Sequence, residues 1–521
     1  MNDTRYVVAA ATLAVAYFAI RAIRDRRTIQ QIPGPPCSSW VFGHLRELFL
    51  APTYGEYEFQ WLRQYGAVYR IQGCFGADRL LISDPAALNF IATSGHFVFG
   101  PSYHNLLRLL YQPESVILTD DEEHKRMRAI LNPGFSTGSV RNYISIFERA
   151  AQTLTEQLEE RSGEVTNVAP LFGHATIGTT SEAILGHRVE ELGAEFIVNN
   201  LEIISLAANQ SATQILLDAV AACIPAVIRD AAIHLPVSPF TALKSSRILA
   251  ERLGKKVVEE KLNAVRQGIE GSGGFYGELV EARQSKQANS LCEKEIIAQT
   301  SLMLIVGQET TAMTLAFGLA ELAQNIEFQN QLRAEIYSHA GVQSAEDIAY
   351  DNMPLLNAFI KESLRMYPAQ PIPERMATED TVLPLAESIR TRDGEQINKL
   401  PIRKGQIMLF SIASYQRLGS RWGPDPNKFN PLRWLEDGGV QLKGEAIGPY
   451  GSLLSFLGGP RTCLGWRFAI VELQVFICEL VGKFEFSLPP EGPARCRYGG
   501  TLMPVLPDGR KGALLSIKRV T

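Results

Sequence analysis

Between Trp40 and Thr521 the chain has no internal repeat and no low-complexity tract, and nowhere does it carry a CxxC pair or a cysteine–histidine finger spacing. Its seven cysteines, at 37, 74, 223, 292, 463, 478 and 496, are odd in number and scattered. That pattern argues against a disulfide framework or structural zinc site and points to a reducing compartment. There is no basic excess either: the formal net charge is −4, so nothing favours nucleic acid as a partner. With 46% apolar and 20% charged residues, the composition is that of a folded protein able to bury a large core.

What is present begins at the N-terminus. Tyr6 to Ile20 is apolar except for Thr12, and Arg21, Arg24, Arg26 and Arg27 follow. If Arg21 snorkels, the apolar stretch reaches Ile23 and spans about 27 Å as a helix, close to the thickness of a thin bilayer. A cleaved signal peptide is the competing reading, but the arginines form a stop-transfer pattern and should stay cytosolic. We therefore expect residues 1–5 to be lumenal, residues 6–23 to be a transmembrane anchor, and residues 24–39 to be a basic, proline-rich hinge. In that hinge, Ile32-Pro33-Gly34-Pro35-Pro36 reads as a stiff, extended connector.

Residues 40–521 read as one large domain, mainly α with a minor β portion. Val68-Tyr69-Arg70-Ile71 and Arg79-Leu80-Leu81-Ile82 look like short strands around a glycine-containing turn. Helical periodicity dominates from Asp84, clearest over Val140–Glu160, Leu243–Gln267, Glu293–Ala323 and Met353–Tyr367. Strand signals return near Gly405–Ile412 and at the C-terminus. The apolar segment Ile215–Phe240, with three prolines, suits two helices meeting at a corner, either dipping into lipid or buried in the core.

The most informative stretch is Phe456-Leu457-Gly458-Gly459-Pro460-Arg461-Thr462-Cys463-Leu464-Gly465. It fits F-x-x-G-x-R-x-C-x-G at every fixed position, a match expected by chance on the order of once in 10,000 chains of this length. The two glycines permit a tight loop, and Cys463 precedes the predicted helix Trp466–Val481, whose N-terminus favours a thiolate. The stretch resembles the haem-binding loop of the cytochrome P-450 family. That resemblance implies Cys463 as the axial iron ligand, Phe456 beneath the macrocycle, Arg461 on a haem propionate, and Gly459 and Gly465 allowing close approach.

Further matches follow upstream. Val306-Gly307-Gln308-Glu309-Thr310-Thr311 is similar to the family's oxygen-activation motif, with Thr310 beside the iron, Glu309 relaying protons, and Gly307 and the hydroxyls loosening the helix. Val306 departs from the family, where a small residue is usual, and should narrow the cavity. Glu362-Ser363-Leu364-Arg365 matches ExxR, and Arg433 resembles the third member of that structural clamp. His124 and Arg128, one helical turn apart, align with propionate-binding positions, as does Arg375.

The resemblance covers roughly residues 33 to 505. It implies haem b, electrons from NADPH through a membrane-bound cytochrome P-450 reductase, and insertion of one oxygen atom into an organic substrate, in the manner of the eukaryotic microsomal type. The catalytic domain would face the cytosol from the endoplasmic reticulum membrane. Pocket positions implied by the family lie in Phe97–Ile117, at Leu302, Ile305 and Val306, in Ala369–Pro373 and at Leu502-Met503. They are nearly all apolar, which points to a lipophilic substrate such as a terpenoid, polyketide or other secondary metabolite. Arg417, Arg421, Lys428 and Arg467 form a candidate surface for an acidic reductase face. Two other functions remain open: a haem-thiolate isomerase or dehydratase working without external electrons, and a non-catalytic haem-binding protein. The Glu309-Thr310 pair argues against both.

Overall fold

Val68–Gln72 (β1) and Asp78–Ile82 (β2), the second buried at every position, form an antiparallel pair in which Ile71 faces Arg79. Three further strands, Phe97–Phe99 (β3), Glu374–Ala377 (β4) and Ile407–Phe410 (β5), complete a sheet of order β1-β2-β5-β4-β3. Only the β2–β5 pairing is parallel. This is a computed structural model, and it describes residues 29–208, 210–222, 224, 238–267, 273–285, 287, 289–339, 350–435 and 446–520. The expected anchor, residues 6–23, lies outside the described residues, as does the part of the expected corner over 225–237.

The sheet belongs to the first of two compact units, formed by the described residues of Met1–His104, Gln210–Ile224 and Gln370–Leu418. The proline-rich hinge is docked in it: Ile29 and Ile32 are fully buried, and the Arg70 amide donates to the Pro33 carbonyl at 2.9 Å. A short helix, Ala212–Ala221, covers the cluster of Leu45, Cys74 and Ile215 and leaves Leu217 exposed.

The second unit takes in the described residues of Asn105–Asn209, Pro225–Ala369 and Gly419–Thr521. Its helices include Asp121–Leu131 (α1), Ala169–Thr180 (α2), Glu293–Leu322 (α3), Pro354–Met366 (α4) and Trp466–Lys483 (α5). Strands Arg495–Tyr498 (β6) and Leu502–Val505 (β7) pair antiparallel. Helix α3 is apolar on nearly every face because α2, α5 and the helix Ser238–Arg266 surround it. It is the described helix long and apolar enough to cross a membrane, but most of its apolar window is buried in protein, as in a core helix.

One expected helix is two. Thr137–Asn142 and Ile144–Glu159 are separated at Tyr143, whose amide bonds the Val140 carbonyl in a tight i−3 turn and whose hydroxyl donates to Gly134 O at 3.2 Å.

Helix α4 starts at Pro354, whose missing amide costs nothing at a first-turn position. It carries Glu362, which has no accessible surface. Both of its oxygens accept from Arg365 at 2.8 Å, and one accepts from Arg433 Nε at 2.9 Å. The Asn430 amide and Trp434 indole complete its shell. Burial pushes this carboxyl up, but the two guanidiniums and the Asn430 amide outweigh it and hold Glu362 below the ordinary carboxylate range. The Ser455 hydroxyl donates to Leu364 O at 2.7 Å, attaching α4 to the segment that leads into Cys463. Glu362→Ala should cost about 3–5 kcal/mol in urea unfolding, because two buried cations lose their counter-charge. A loss below about 1 kcal/mol would mean that the three charges are not coupled.

Candidate functional site

The Cys463 loop is closed by its own main chain. The Leu457 amide donates to Leu454 O at 2.8 Å, Thr462 to Gly459 O at 3.1 Å, and Cys463 to Phe456 O at 2.8 Å. Gly459 sits at φ +67°, where a side chain is strained, and a Cβ on Gly458 would lie 2.4 Å from Ile447 O. The need for glycine at 458 thus comes from the approach of protein backbone. A Cβ on Gly465 would meet Phe135 at an ordinary 3.8 Å, so the fold imposes no steric need for glycine there.

Cys463 is exposed by accessible area, yet burial pushes its thiol pKa up, with the Gly465 amide and Arg128 charge pulling it back. A side chain that is both accessible and surrounded by protein lines an internal recess. Phe456 packs in the interior behind this loop, 8% exposed.

Arg461 ties the loop to the start of α1. Its Nη2 donates to Thr119 O at 2.7 Å and to the Asp120 carboxylate at 2.6 Å. Helix α1 opens with Asp121, Glu122 and Glu123, which suit a helix N-terminus, and one turn later turns His124 inward. Burial, then the Arg461 and Arg128 charges, push His124 down to about 4, so its imidazole is neutral near pH 7. Arg128 is lowered by burial and Arg461 and raised by Cys463, which places it within electrostatic reach of the sulfur. Among the described residues neither the His124 ring nor the Arg128 guanidinium has a hydrogen-bond or ion-pair partner.

This donor set fits a haem. One accessible sulfur, with no cluster of three or more His, Cys, Asp or Glu able to hold a metal among the described residues, suits an iron whose other ligands come from a macrocycle. Two unpartnered donors and Arg461 beside it suit the carboxylates of such a group. Arg375 belongs to the other unit, on β4, where its guanidinium stacks 4.7 Å from the Phe99 ring and 5.7 Å from Phe410.

Helix α3 runs unbroken through Gly307, so the expected loosening does not occur. The Thr310 hydroxyl donates to Val306 O and that of Thr314 to Thr310 O, both at 2.9 Å and one turn back. Gly307 instead allows α2 to approach: a Cβ there would lie 2.4 Å from Thr180 Oγ1. Val306 is 39% exposed on an otherwise buried helix, a second wall of accessible surface inside the unit. Glu309 bonds Lys511, which follows β7.

Sequence reasoning missed Lys511 and also Glu472. Glu472 has no accessible surface, and it accepts from Thr179 of α2 and lies within hydrogen-bonding reach of Thr311 of α3. Its Oε2 meets no partner of good geometry among the described residues. Burial pushes its pKa up to about 8, so it is a neutral acid at pH 7. A lone charge in the apolar run Phe468–Ile477 is the signal that could have flagged it. Of the proposed reductase surface, Arg421 is only 6% exposed and packs 5.9 Å from its neighbour Trp422, so it belongs to the interior. Arg417, in the other unit, stacks 4.2 Å over Phe59.

Glu472 binds a proton in the folded state between its ordinary pKa and about 8 that the unfolded chain does not. Its contribution is therefore complete in acid and declines as pH rises through that window. Wild-type stability should fall relative to Glu472→Gln between pH 5 and 8, by a few kcal/mol, when urea unfolding is compared across pH. A difference that stays flat with pH would show that the acid is not held neutral.

Comparison with known proteins agrees with this geometry. The family model for cytochrome P450 matches residues 33–509. The cytochrome P450 monooxygenase claU of Ampulloclitocybe clavipes is 27% identical, over 91% of this chain and 89% of its own length. Cytochrome P450 monooxygenase 91 of Postia placenta is 29% identical, over 94% of this chain and 93% of its own. A second A. clavipes protein, claW, is 28% identical over 91% and 89%. With the matched region taking in Cys463, α3, α4 and the α1 cluster, the chain belongs to the cytochrome P450 family and is a haem-dependent oxidoreductase.

Proposed function

We propose that this enzyme is a membrane-anchored monooxygenase that inserts one atom of O2 into a lipophilic organic substrate, of terpenoid, polyketide or other secondary-metabolite type. The balance is substrate, O2, NADPH and one proton giving hydroxylated substrate, NADP+ and water. A membrane-bound cytochrome P-450 reductase carries the electrons, and residues 6–23 hold the enzyme on the endoplasmic reticulum with its catalytic domain in the cytosol. The observation that carries the reading is Cys463, accessible in a deep recess beside Arg128 and His124.

Haem b, when bound, would supply the redox chemistry, and Cys463 would hold its iron as a thiolate, a ligand that favours O–O cleavage. Arg461, Arg128 and a neutral His124 would donate to its propionates, and Phe456 would shield the sulfur from water. Gly459 shapes the loop and Gly465 leaves room for the ring. Glu362, Arg365 and Arg433 act as a structural clamp behind the loop. Thr310 offers a hydroxyl at the reacting side of α3, and Glu309 passes it protons from solvent. Substrate choice falls to apolar surface, including Val306 and the buried Leu302, Leu502 and Met503.

Cys463→Ser should abolish the thiolate-type absorption band of the reduced carbon-monoxide complex together with turnover. Thr310→Ala should keep the band and lower product formed per NADPH by about tenfold or more, releasing hydrogen peroxide instead. Retention of full coupling in Thr310→Ala would remove that hydroxyl from the mechanism. Absorption titration of the holoenzyme with a panel of terpenoids and polyketides should give spectral shifts. Shifts confined to charged, water-soluble compounds would overturn the substrate class.

A further inference from the structure

We propose that Lys511 is a positioning residue for proton delivery: it holds the Glu309 carboxylate in place one residue before Thr310, at the point where that route meets solvent. The proposal rests on the reading of Glu309 as the proton relay.

The geometry is specific. Lys511 Nζ bonds Glu309 Oε2, with side-chain exposures of only 18% and 13%. Main-chain bonds fix Lys511 from both directions. Before it, the turn is closed by the Leu506 amide on Arg510 O at 2.8 Å and the Gly509 amide on Leu506 O at 2.9 Å. Lys511 itself bridges Val505, at the end of β7, which packs on α3. After it, the Gly512 amide donates to Pro504 O at 3.0 Å, and Ala513 exchanges bonds with Asn167 and Val168, just ahead of α2. The ammonium therefore reaches α3 from a frame anchored on β7 and on the start of α2.

The carboxylate has its own niche. Helix α2 presents Gly173 to it, and a Cβ there would lie 3.9 Å from Glu309 Oε1. At the exposed turn, Asp508 and Arg510 pair with each other at 2.6 Å and leave Lys511 to Glu309. A carboxylate on a flexible stem needs a partner to stay in one place. Lys511 answers that need, and the partial exposure of both side chains leaves the pair within reach of water.

The test follows the fate of O2 in holoenzyme reconstituted with a reductase and NADPH, with no organic substrate added. Two electrons and two protons convert O2 to hydrogen peroxide; four of each convert it to two waters. Impaired proton delivery raises the peroxide share. Lys511→Met should raise peroxide per NADPH by about fivefold. Lys511→Arg should restore it, and the reduced carbon-monoxide spectrum of both should match wild type. In a Glu309→Gln background, Lys511→Met should add nothing. Independently of turnover, labelling of Lys511 by an amine-reactive ester, read by mass spectrometry, should speed up severalfold in Glu309→Gln. If Glu309→Gln changes the peroxide share and Lys511→Met does not, the relay stands and the proposal fails. If neither changes it, the relay reading fails and the proposal with it. Unchanged labelling, or an undiminished Lys511→Met effect without Glu309, would also overturn it.

Discussion

In the function proposed for this protein, all of the chemistry depends on one sulfur being presented by a loop whose main chain is closed on itself. The Cys463 amide donates to Phe456 O, and the turn before it uses Gly459 in a left-handed conformation. With its main chain closed in this way, the loop has few remaining freedoms, and side chains remove those. Arg461 fastens it to α1 through Asp120, and Ser455 fastens it to α4 through Leu364 O. The sulfur's position is thus inherited from two helices, and each of those has its own electrostatic account.

At α4 the account is a closed one, with a buried carboxylate and two guanidiniums satisfying one another and the carbonyls around them. At α1 it is open. His124 and Arg128 are drawn into the interior with donors unmatched by any described residue, and each lowers the other's affinity for protons or is lowered by Arg461. A protein tolerates such an arrangement where an anionic ligand completes it. On the proposed function, stability and ligand affinity would be divided between the two helices, the closed cluster serving the fold and the open one the cofactor.

Much of this was legible in the sequence, and for physical reasons. Strands β1 and β2 are short β-rich runs around a glycine-containing turn, β2 buried along its whole length, and α3 is apolar on nearly every face because helices surround it. The loop around Cys463 is legible because so few residue types satisfy its backbone. Charge state was not legible: His124 looks like a cation until burial and two arginines are counted, and Arg421 looks like a surface charge until its side chain is found inside. Long-range pairs were also hidden. Nothing local marks Lys511 as the partner of a glutamate 202 residues earlier, because that contact is set by where β7 returns against α3. The break at Tyr143 depends on Gly134, a neighbour that periodicity does not see.

The polar layer between α2 and α3 has a consequence of a different kind. Thr176 donates to Gln308 O, Asn200 bonds the Gln308 side chain, Thr179 bonds Glu472, and Thr180 faces Gly307. Apolar helix surfaces alone would accept α3 at several alignments, displaced by a turn at little cost. Sliding α3 by one turn would strand the Asn200 amide without the Gln308 side chain and drive Thr180 against a side chain in place of Gly307. The layer therefore acts as a key that selects one register, as a single polar residue does in a coiled-coil seam. It is this matching of notches that determines which residues of a long apolar rod come to face the recess.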